Sequence, residues 1–289
     1  MNIEFCSVNF ADKNIFPYVS ITGSEEWGAD FSKLYDRTSE HVLRTVDAAD
    51  KIVTLEVDLG APRVISVVKL LKCNLMVGKI EAKIFVEEEY STVHVIANNQ
   101  RSSYHHILNS AYLQDNEGNN LSTGLDYLIN SKDCVFRYIR ITFEDAQISE
   151  QEKFIGELYI GTLANVFNKG QVIEYTEAWE DPKSITIRDY RGRYSSSRRG
   201  SVYSVSVSVR RPSMTELKFI KYACKNGSIY TLFPEVVHGK EMDYSLSIDD
   251  IYFVSFHPRF NYRPFGRNAD GVVSFKVEET YYNGTHLHA

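Results

Sequence analysis

The chain has 289 residues, 43% of them hydrophobic, and a formal net charge of −6. This length suits one large domain or two of ordinary size. Because the chain is acidic, it is not attracted as a whole to nucleic acid or to an anionic membrane, and neither is expected as a partner. The first ten residues, MNIEFCSVNF, have no basic lead and no long apolar run, so no secretory signal is expected. The apolar runs are too short to cross a bilayer.

Apolar and polar residues alternate with a period of two along the first half of the chain. In VTLEVDLG (53–60) the valines and leucines share one face, and in IEAKIFV (80–86) the residues at 80, 82, 84 and 86 do. RYIRITF (137–143) places its two isoleucines and its phenylalanine together. This pattern is typical of half-buried β-strands. Residues 59–62 (LGAP) are predicted to form a tight turn between two core strands, because Gly60 tolerates a positive φ that other residues avoid.

Two changes of texture interrupt the strands. Residues 98–132 are rich in Asn, Ser and Gly, which predicts a long loop with one short helix. After ELYIGTLANVFNKGQ (157–171) the apolar and acidic strands are replaced by a region with many arginines and tyrosines. These changes predict two β-rich domains, residues 1–164 and 165–289.

The second half has two further alternating segments. In SVYSVSVSV (201–209) one face consists of Tyr203 and three valines and the other of serines. In GVVSFKVEE (271–279) Val273, Phe275 and Val277 share a face. Both segments are predicted strands, so the whole chain is predicted to be mainly β. The four cysteines are scattered without a C-x-x-C pair, which predicts reduced thiols and a cytoplasmic site of folding.

Three blocks of the first half resemble the discoidin domain, the galactose-binding-like jelly roll of the coagulation-factor C type. They are KIVTLEVDLGAPRVISVVKLLKCNL (51–75), KIEAKIFVEEEYSTVHVI (79–96) and CVFRYIRITFEDAQISEQEKFIGELYIGTL (134–163). The resemblance implies a jelly-roll β-sandwich, followed by a second β-sandwich or barrel, with glycan binding as a function that the fold permits. Unlike many family members, the chain has no cysteine near 163 to pair with Cys6, and Asp36 has no tryptophan after it.

Sugar-binding members of that family use exposed aromatic residues in loops at one rim of the sandwich. Trp27, in GSEEWGAD, is the candidate for this role or for an interface. A packed core tryptophan is the alternative interpretation. Arg140 alternates outward on its strand and is expected to be a satisfied surface arginine.

A cluster of arginines precedes the alternating segment of the second half. It could contact nucleic acid, belong to an ordinary solvated loop, or form bidentate pairs with carboxylates of a neighbouring subunit. We expect the third, which makes these residues a partner interface: Arg188, Arg191, Arg193, Arg198 and Arg199.

A looser resemblance favours that choice. The segment from 188 to 200, the turn FHPRFNYRPFG (256–266) and the final strand SFKVEE (274–279) resemble the C-terminal domain of bacteriophage minor tail and distal-tail proteins. The resemblance implies a structural protein of a phage tail or baseplate. It would be assembled in the bacterial cytoplasm, with other tail proteins and further copies of itself as partners. The alternative is a lectin-like protein that binds host surface glycans.

No sequence motif indicates an enzyme. The chain lacks the G-x-S-x-G, P-loop, G-x-G-x-x-G and H-E-x-x-H patterns, so catalysis and a cofactor are not expected. The acidic run Glu87, Glu88 and Glu89 could hold a structural calcium ion, but adjacent carboxylates more often mark a solvated turn.

Overall fold

The structure is a computed structural model that describes residues 2–36, 41–46, 51–73, 75–96, 109–112, 135–146, 152–167, 170–180, 185–188, 194–197, 202–235, 252–265 and 270–280. Its elements are β1 (Asn2–Cys6), β2 (Ser20–Gly23), a 3-10 turn (Phe31–Leu34), β3 (Leu43–Arg44), β4 (Val53–Val64), β5 (Val67–Cys73), β6 (Leu75–Lys83), β7 (Ser91–Ile96), β8 (Asn109–Tyr112), β9 (Val135–Ala146), β10 (Phe154–Gly161), β11 (Leu163–Phe167), β12 (Val172–Glu180), β13 (Ile185–Arg188), β14 (Tyr194–Ser197), β15 (Val202–Arg210), α1 (Met214–Asn226), β16 (Ile229–Glu235), β17 (Tyr252–Phe265) and β18 (Asp270–Glu279).

The first half forms a sandwich of two antiparallel sheets. One sheet has the order β2-β4-β9-β6-β7 and the other β3-β10-β5-β8. The alternation seen in the sequence sets which face is buried: Val53, Leu55 and Val57 of β4 lie inside, next to Ile139 and Ile141 of β9. Thus the predicted all-β class and the sandwich of the first half are confirmed.

One predicted strand ends earlier than its pattern suggested. Ile80 and Ala82 of β6 are buried as expected, but the strand stops at Lys83 and Val86 is exposed. The Glu88 carboxylate accepts hydrogen bonds from the backbone N–H groups of Ile84 and Phe85, both at 3.0 Å, and this closes a turn. Within the predicted loop at 98–132, residues 109–112 form β8, and the remainder lies outside the described residues.

The second half contains one seven-stranded antiparallel sheet in the order β11-β1-β16-β17-β18-β15-β12. Four strand spacings separate β11 from β18, which is about 19 Å in a flat sheet. Yet the ring centroids of Phe167 on β11 and Phe275 on β18 are 5.6 Å apart. The sheet is therefore strongly curled around its own interior, in keeping with the barrel expected for this half. We call it the curled sheet.

Helix α1 packs on the aromatic core of the curled sheet. The side chain of Ser213 accepts from the backbone N–H of Glu216, whose carboxylate accepts from the backbone N–H of Ser213, a reciprocal capping box. Gly227 ends the helix in the left-handed conformation at φ 60°. The apolar face of the helix, which includes Phe219 and Ile220, is buried in the core.

The sandwich is inserted between two neighbouring strands of the curled sheet. Strand β1 pairs with both β11 and β16, so the curled sheet takes a strand from before the sandwich. The predicted division at residue 164 places that strand in the first domain, and the division itself stays a prediction. The two connections run side by side: the N–H groups of Ser7 and Phe10 donate to the carbonyls of Thr162 and Ile160, each at 2.8 Å.

A buried ion pair joins the sandwich to the curled sheet. The ammonium group of Lys69, on β5, lies 2.5 Å from a carboxylate oxygen of Glu4 on β1 and 4.5 Å from the ring centroid of Phe233 on β16. The side chain of Lys69 is only 1% exposed. Burial raises the pKa of the neighbouring Cys6 thiol to about 12, so this thiol is protonated at neutral pH.

Three of the four cysteines lie among the described residues. Cys6, Cys73 and Cys224 are buried and form no disulfide, as expected, and Cys134 lies outside the described residues. Among the residues that the structure describes, no helix is long and apolar enough to cross a membrane.

Candidate functional site

Polar side chains form rows across the outer face of the five-stranded sheet. Strand pairing places Ser20 of β2 opposite Asp58 of β4, Asp58 opposite Tyr138 of β9, and Tyr138 opposite Lys83 of β6. Residues directly opposite each other point to the same face of a sheet. These four residues are called the first row, and they lie at the end of the sheet where β4 and β6 finish.

A second polar row runs one step further along the strands. It consists of Thr22, Glu56, Arg140 and Glu81, again in direct register across β2, β4, β9 and β6. Glu56 Oε1 accepts from Arg140 Nε at 2.8 Å and lies 2.7 Å from Arg140 Nη2. The guanidinium carbon of Arg140 is 3.9 Å from the ring centroid of Tyr90. Arg140 is therefore a satisfied surface arginine, as its alternation suggested.

Asp58, the acid of the first row, is held by several hydrogen bonds. Its two carboxylate oxygens accept from Nε and Nη2 of Arg137 at 2.7 and 2.9 Å, a bidentate pair, and one of them also accepts from the backbone N–H of Gly60 at 2.8 Å. The hydrogen bonds from Arg137 hold the pKa of Asp58 below its usual value. This carboxylate is therefore ionised at neutral pH.

Next to this pair, an exposed tyrosine is held in place at the end of β4. Tyr18 is 58% exposed, and its hydroxyl oxygen accepts from Arg63 Nη2 at 3.1 Å. The guanidinium carbon of Arg63 lies 4.2 Å from the ring centroid of Phe16 and 4.9 Å from that of Phe10. Arg63 Nε is buried without a hydrogen-bond partner, and these two rings supply cation–π contact in its place.

Gly60 allows the tyrosine to take this position. Its φ is +74°, as the sequence predicted, and a Cβ atom there would lie 2.4 Å from Cδ2 of Tyr18. Any other residue at position 60 would therefore both strain the backbone and displace the ring.

The turn after β6 supplies a second set of aromatic groups at the same end of the sheet. Phe85 is 60% exposed at the tip of this turn. The ammonium group of Lys83 donates to the carbonyls of Val86 and Glu88, at 2.8 and 3.2 Å. It lies 4.6 and 5.4 Å from the ring centroids of Tyr90 and Tyr138. We call the following set the rim cluster: Tyr18, Asp58, Arg63, Lys83, Phe85, Tyr90, Arg137 and Tyr138.

The structure places Trp27 elsewhere. Its side chain is 6% exposed and belongs to the sandwich core, where its ring meets Phe143 edge-on with centroids 5.4 Å apart. Its Nε1–H donates to the carbonyl of Thr54 at 2.9 Å. This is the packed position that was the alternative interpretation, and it leaves no open ring face for a sugar.

Most of the predicted arginine interface lies outside the described residues. Arg188 is the last residue of β13 and pairs in register with Tyr194 of β14, while Arg191, Arg193, Arg198 and Arg199 are not described. Their role as a partner interface stays a prediction.

The acidic turn is built by its own hydrogen bonds. Glu88 caps the turn through two backbone N–H groups, and Glu87 and Glu89 are exposed. No group of three metal-ligating side chains occurs among the described residues. The solvated turn, which the sequence favoured over a calcium site, stays a prediction.

Sequence reasoning missed the rim cluster, although local signals mark parts of it. Tyr18 follows Phe16 and Pro17 directly before a strand, and Arg63 follows the predicted Gly60 turn. Binding residues often lie in loops that a rigid scaffold positions. The signal was incomplete because residues 18, 63, 85 and 137 come together only when β2, β4, β6 and β9 pair.

No protein-family model matches the chain, and a search of the curated proteins finds no match either. Solved structures resemble about half of it. A chitosan-binding module of a chitosanase/glucanase from Paenibacillus sp. IK-5 is 14% identical and gives a TM-score of 0.37, covering 53% of this chain and 97% of the module. The module CBM32-5 of CpGH89 from Clostridium perfringens, in complex with GalNAc-β-1,3-galactose, is 11% identical with a TM-score of 0.37, covering 50% and 96%. CBM32-1 of a Clostridium perfringens family 31 glycoside hydrolase is 15% identical with a TM-score of 0.34, covering 51% and 99%.

These structures are carbohydrate-binding modules, and no comparison supports a phage tail or baseplate protein. The predicted virion role, its tail-protein partners and its oligomeric state therefore remain predictions.

Proposed function

We propose that the chain is a non-catalytic carbohydrate-binding protein whose rim cluster holds the glycan. The observation that carries the proposal is the exposed ring of Tyr18, fixed by Arg63 beside the bidentate pair of Asp58 and Arg137. Here an aromatic face and several charged hydrogen-bonding groups lie at one end of a rigid sandwich.

This combination suits the chemistry of sugars. A sugar ring has a face of C–H groups, which packs on an aromatic ring, and a rim of hydroxyl groups, which need both donors and acceptors. Arg63 and Arg137 offer donors only, whereas the Asp58 carboxylate and the Tyr18 hydroxyl can accept. Because these side chains are already positioned by contacts with each other, little conformational entropy is lost when a ligand binds.

The same contacts favour binding over hydrolysis. A general acid must carry a proton near neutral pH, but the hydrogen bonds from Arg137 lower the pKa of Asp58 and keep it ionised. The carboxylate of Glu56 is likewise engaged by Arg140. Asp58 therefore serves better as a fixed acceptor for sugar hydroxyl groups than as a proton donor.

The proposal is tested by comparing Tyr18→Ala with wild type on an array of immobilised glycans. Tyr222, on helix α1, is 48% exposed, so Tyr222→Ala is a matched control that removes another exposed tyrosine ring, away from the rim cluster. We expect wild type and Tyr222→Ala to bind the same glycans and Tyr18→Ala to lose about tenfold or more in affinity, corresponding to roughly 1.4 kcal/mol. Equal binding by all three proteins, or none by wild type, would remove the rim cluster as a glycan site.

A further inference from the structure

The rim cluster extends well beyond one sugar ring. The first row crosses four neighbouring strands, so Ser20 and Lys83 at its two ends are three strand spacings apart, or about 14 Å. Each of these strands contributes one polar side chain to the row. The second row repeats this arrangement on the same four strands, from Thr22 to Glu81.

Exposed aromatic rings mark both ends of the first row. Tyr18 precedes Ser20 by two residues at the β2 edge, and Phe85 follows Lys83 by two residues beyond β6. Both residues lie past the row on the same side, where β4 and β6 finish, and their side chains are 58% and 60% exposed. Two accessible rings are thus separated by a line of hydrogen-bonding groups.

The separation of these groups matches a chain of sugars better than a single sugar. Neighbouring strands are about 4.8 Å apart, which is close to the length of one hexose unit in a linear glycan. A glycan crossing the strands would therefore meet a new polar side chain with nearly every unit. A single terminal sugar would reach only one end of the row.

From this spacing we infer that the ligand is an extended oligosaccharide or polysaccharide that lies across β2, β4, β9 and β6 between Tyr18 and Phe85. The inference rests on the proposed function and adds the ligand class and a second contact point. Phe85 becomes a binding residue at the far end, and the Asp58–Arg137 and Lys83–Tyr138 contacts lie between it and Tyr18.

The test measures affinity against ligand length by isothermal titration calorimetry. The probes are the hexasaccharides and the corresponding single sugars of β-1,4-glucan, β-1,4-mannan, chitosan and polygalacturonate. Wild type, Tyr18→Ala, Phe85→Ala and the control Tyr222→Ala are compared, and circular dichroism checks that each variant is folded. We expect at least one hexasaccharide to bind about tenfold tighter than its single sugar. Phe85→Ala and Tyr18→Ala should each weaken the hexasaccharide about tenfold, while Tyr222→Ala leaves it unchanged.

The outcomes distinguish failure of the extended site from failure of glycan binding by the rim cluster. If a single sugar binds as tightly as its hexasaccharide and only Tyr18→Ala weakens it, the extended site is wrong and glycan binding by the rim cluster stands. If Phe85→Ala weakens the hexasaccharide but not the single sugar, the far contact is established directly. If none of the eight probes binds to folded wild type although the glycan array shows binding that depends on Tyr18, the extended site is wrong and the proposed function stands. Absence of binding in both experiments overturns both.

Discussion

The sandwich and the curled sheet fill their interiors with different kinds of side chain. The sandwich core is built mainly from valine, leucine and isoleucine, such as Leu55, Ile139 and Ile155, with Trp27 and Phe143 at one place. The interior of the curled sheet is crowded with rings: Phe5, Phe167, Tyr203, Phe219, Tyr230, Phe256 and Phe275.

Geometry explains the contrast. Two packed sheets face each other at about 10 Å, a gap that aliphatic side chains from both inner faces can fill. A single sheet that curls has to fill its own concave side, which requires larger groups and a covering element. Rings and helix α1 meet that need, and Phe256 and Phe275 stack with centroids 5.2 Å apart.

The first and largest test truncates the centre of the aromatic core. Phe256 is 3% exposed and contacts four other rings of that core, so Phe256→Ala should lower the free energy of unfolding by about 3–5 kcal/mol. The chain has two tryptophans, Trp27 in the sandwich and Trp179 on β12 of the curled sheet. Urea unfolding followed in Trp27→Phe and Trp179→Phe backgrounds therefore reports each half separately.

In that experiment the Trp179 signal should shift by the full amount and the Trp27 signal by less. Phe85→Ala removes an exposed ring and should change either signal by no more than about 0.5 kcal/mol. Equal shifts of both signals in Phe256→Ala would show that the two cores unfold as one unit. The two halves would then have no separate free energies of unfolding to compare.

The second test addresses the contact between the two halves. Lys69→Ala removes the buried ion pair between Lys69 and Glu4, so we expect the free energy of unfolding to fall by about 3 kcal/mol. Both tryptophan signals should be affected because the pair bridges β5 and β1. Replacing the exposed Lys221 by alanine is the matched control, with an expected change within about 0.5 kcal/mol. A shift confined to the Trp27 signal would mean that the ion pair stabilises the sandwich alone.

The third and smallest test concerns the charged outer face of the sandwich. The pKa of Asp58 is lower in the folded chain, so its ion pair stabilises the fold above the unfolded pKa of about 4 and loses this effect as the pH falls below it. Asp58→Asn should therefore lower the free energy of unfolding at pH 7 by less than about 1 kcal/mol. It should also make the free energy of unfolding fall less steeply as the pH is lowered below the unfolded pKa of Asp58. Urea unfolding between pH 2 and 7 measures this, with Glu87→Gln as the control. If stability falls with acid pH as steeply in Asp58→Asn as in wild type, this prediction is wrong.

Much of the fold could be predicted from local pattern. Alternation placed Val53 and Leu55, Ile139 and Ile141, and Val205 and Val207 on buried faces, and all of them are buried. The positive φ of Gly60 was likewise expected. The tight turn predicted there was wrong, because β4 continues through Gly60 to Val64 with a register shift between Asp58 and Arg63. The pattern failed at Val86, because an alternating segment does not show where a side chain such as Glu88 will close a turn.

The candidate site could not be predicted in the same way. Trp27 was the aromatic candidate from sequence, yet it packs on Phe143, while Tyr18 and Phe85 are the exposed rings. Burial of a ring depends on which strands cover it, and that is decided by pairing between distant segments.

The sequence by itself determined the all-β class, the inward faces of the main strands and the positive φ of Gly60, because side-chain alternation and backbone sterics act over a few residues. Only the tertiary structure decided that β1 joins β11 and β16, that the second half curls around its own rings, and that Tyr18, Arg63, Phe85 and Arg137 share one rim. Each of these depends on hydrogen bonds and packing between residues far apart in the chain, and alternation with a period of two carries no information about which strand will be the partner.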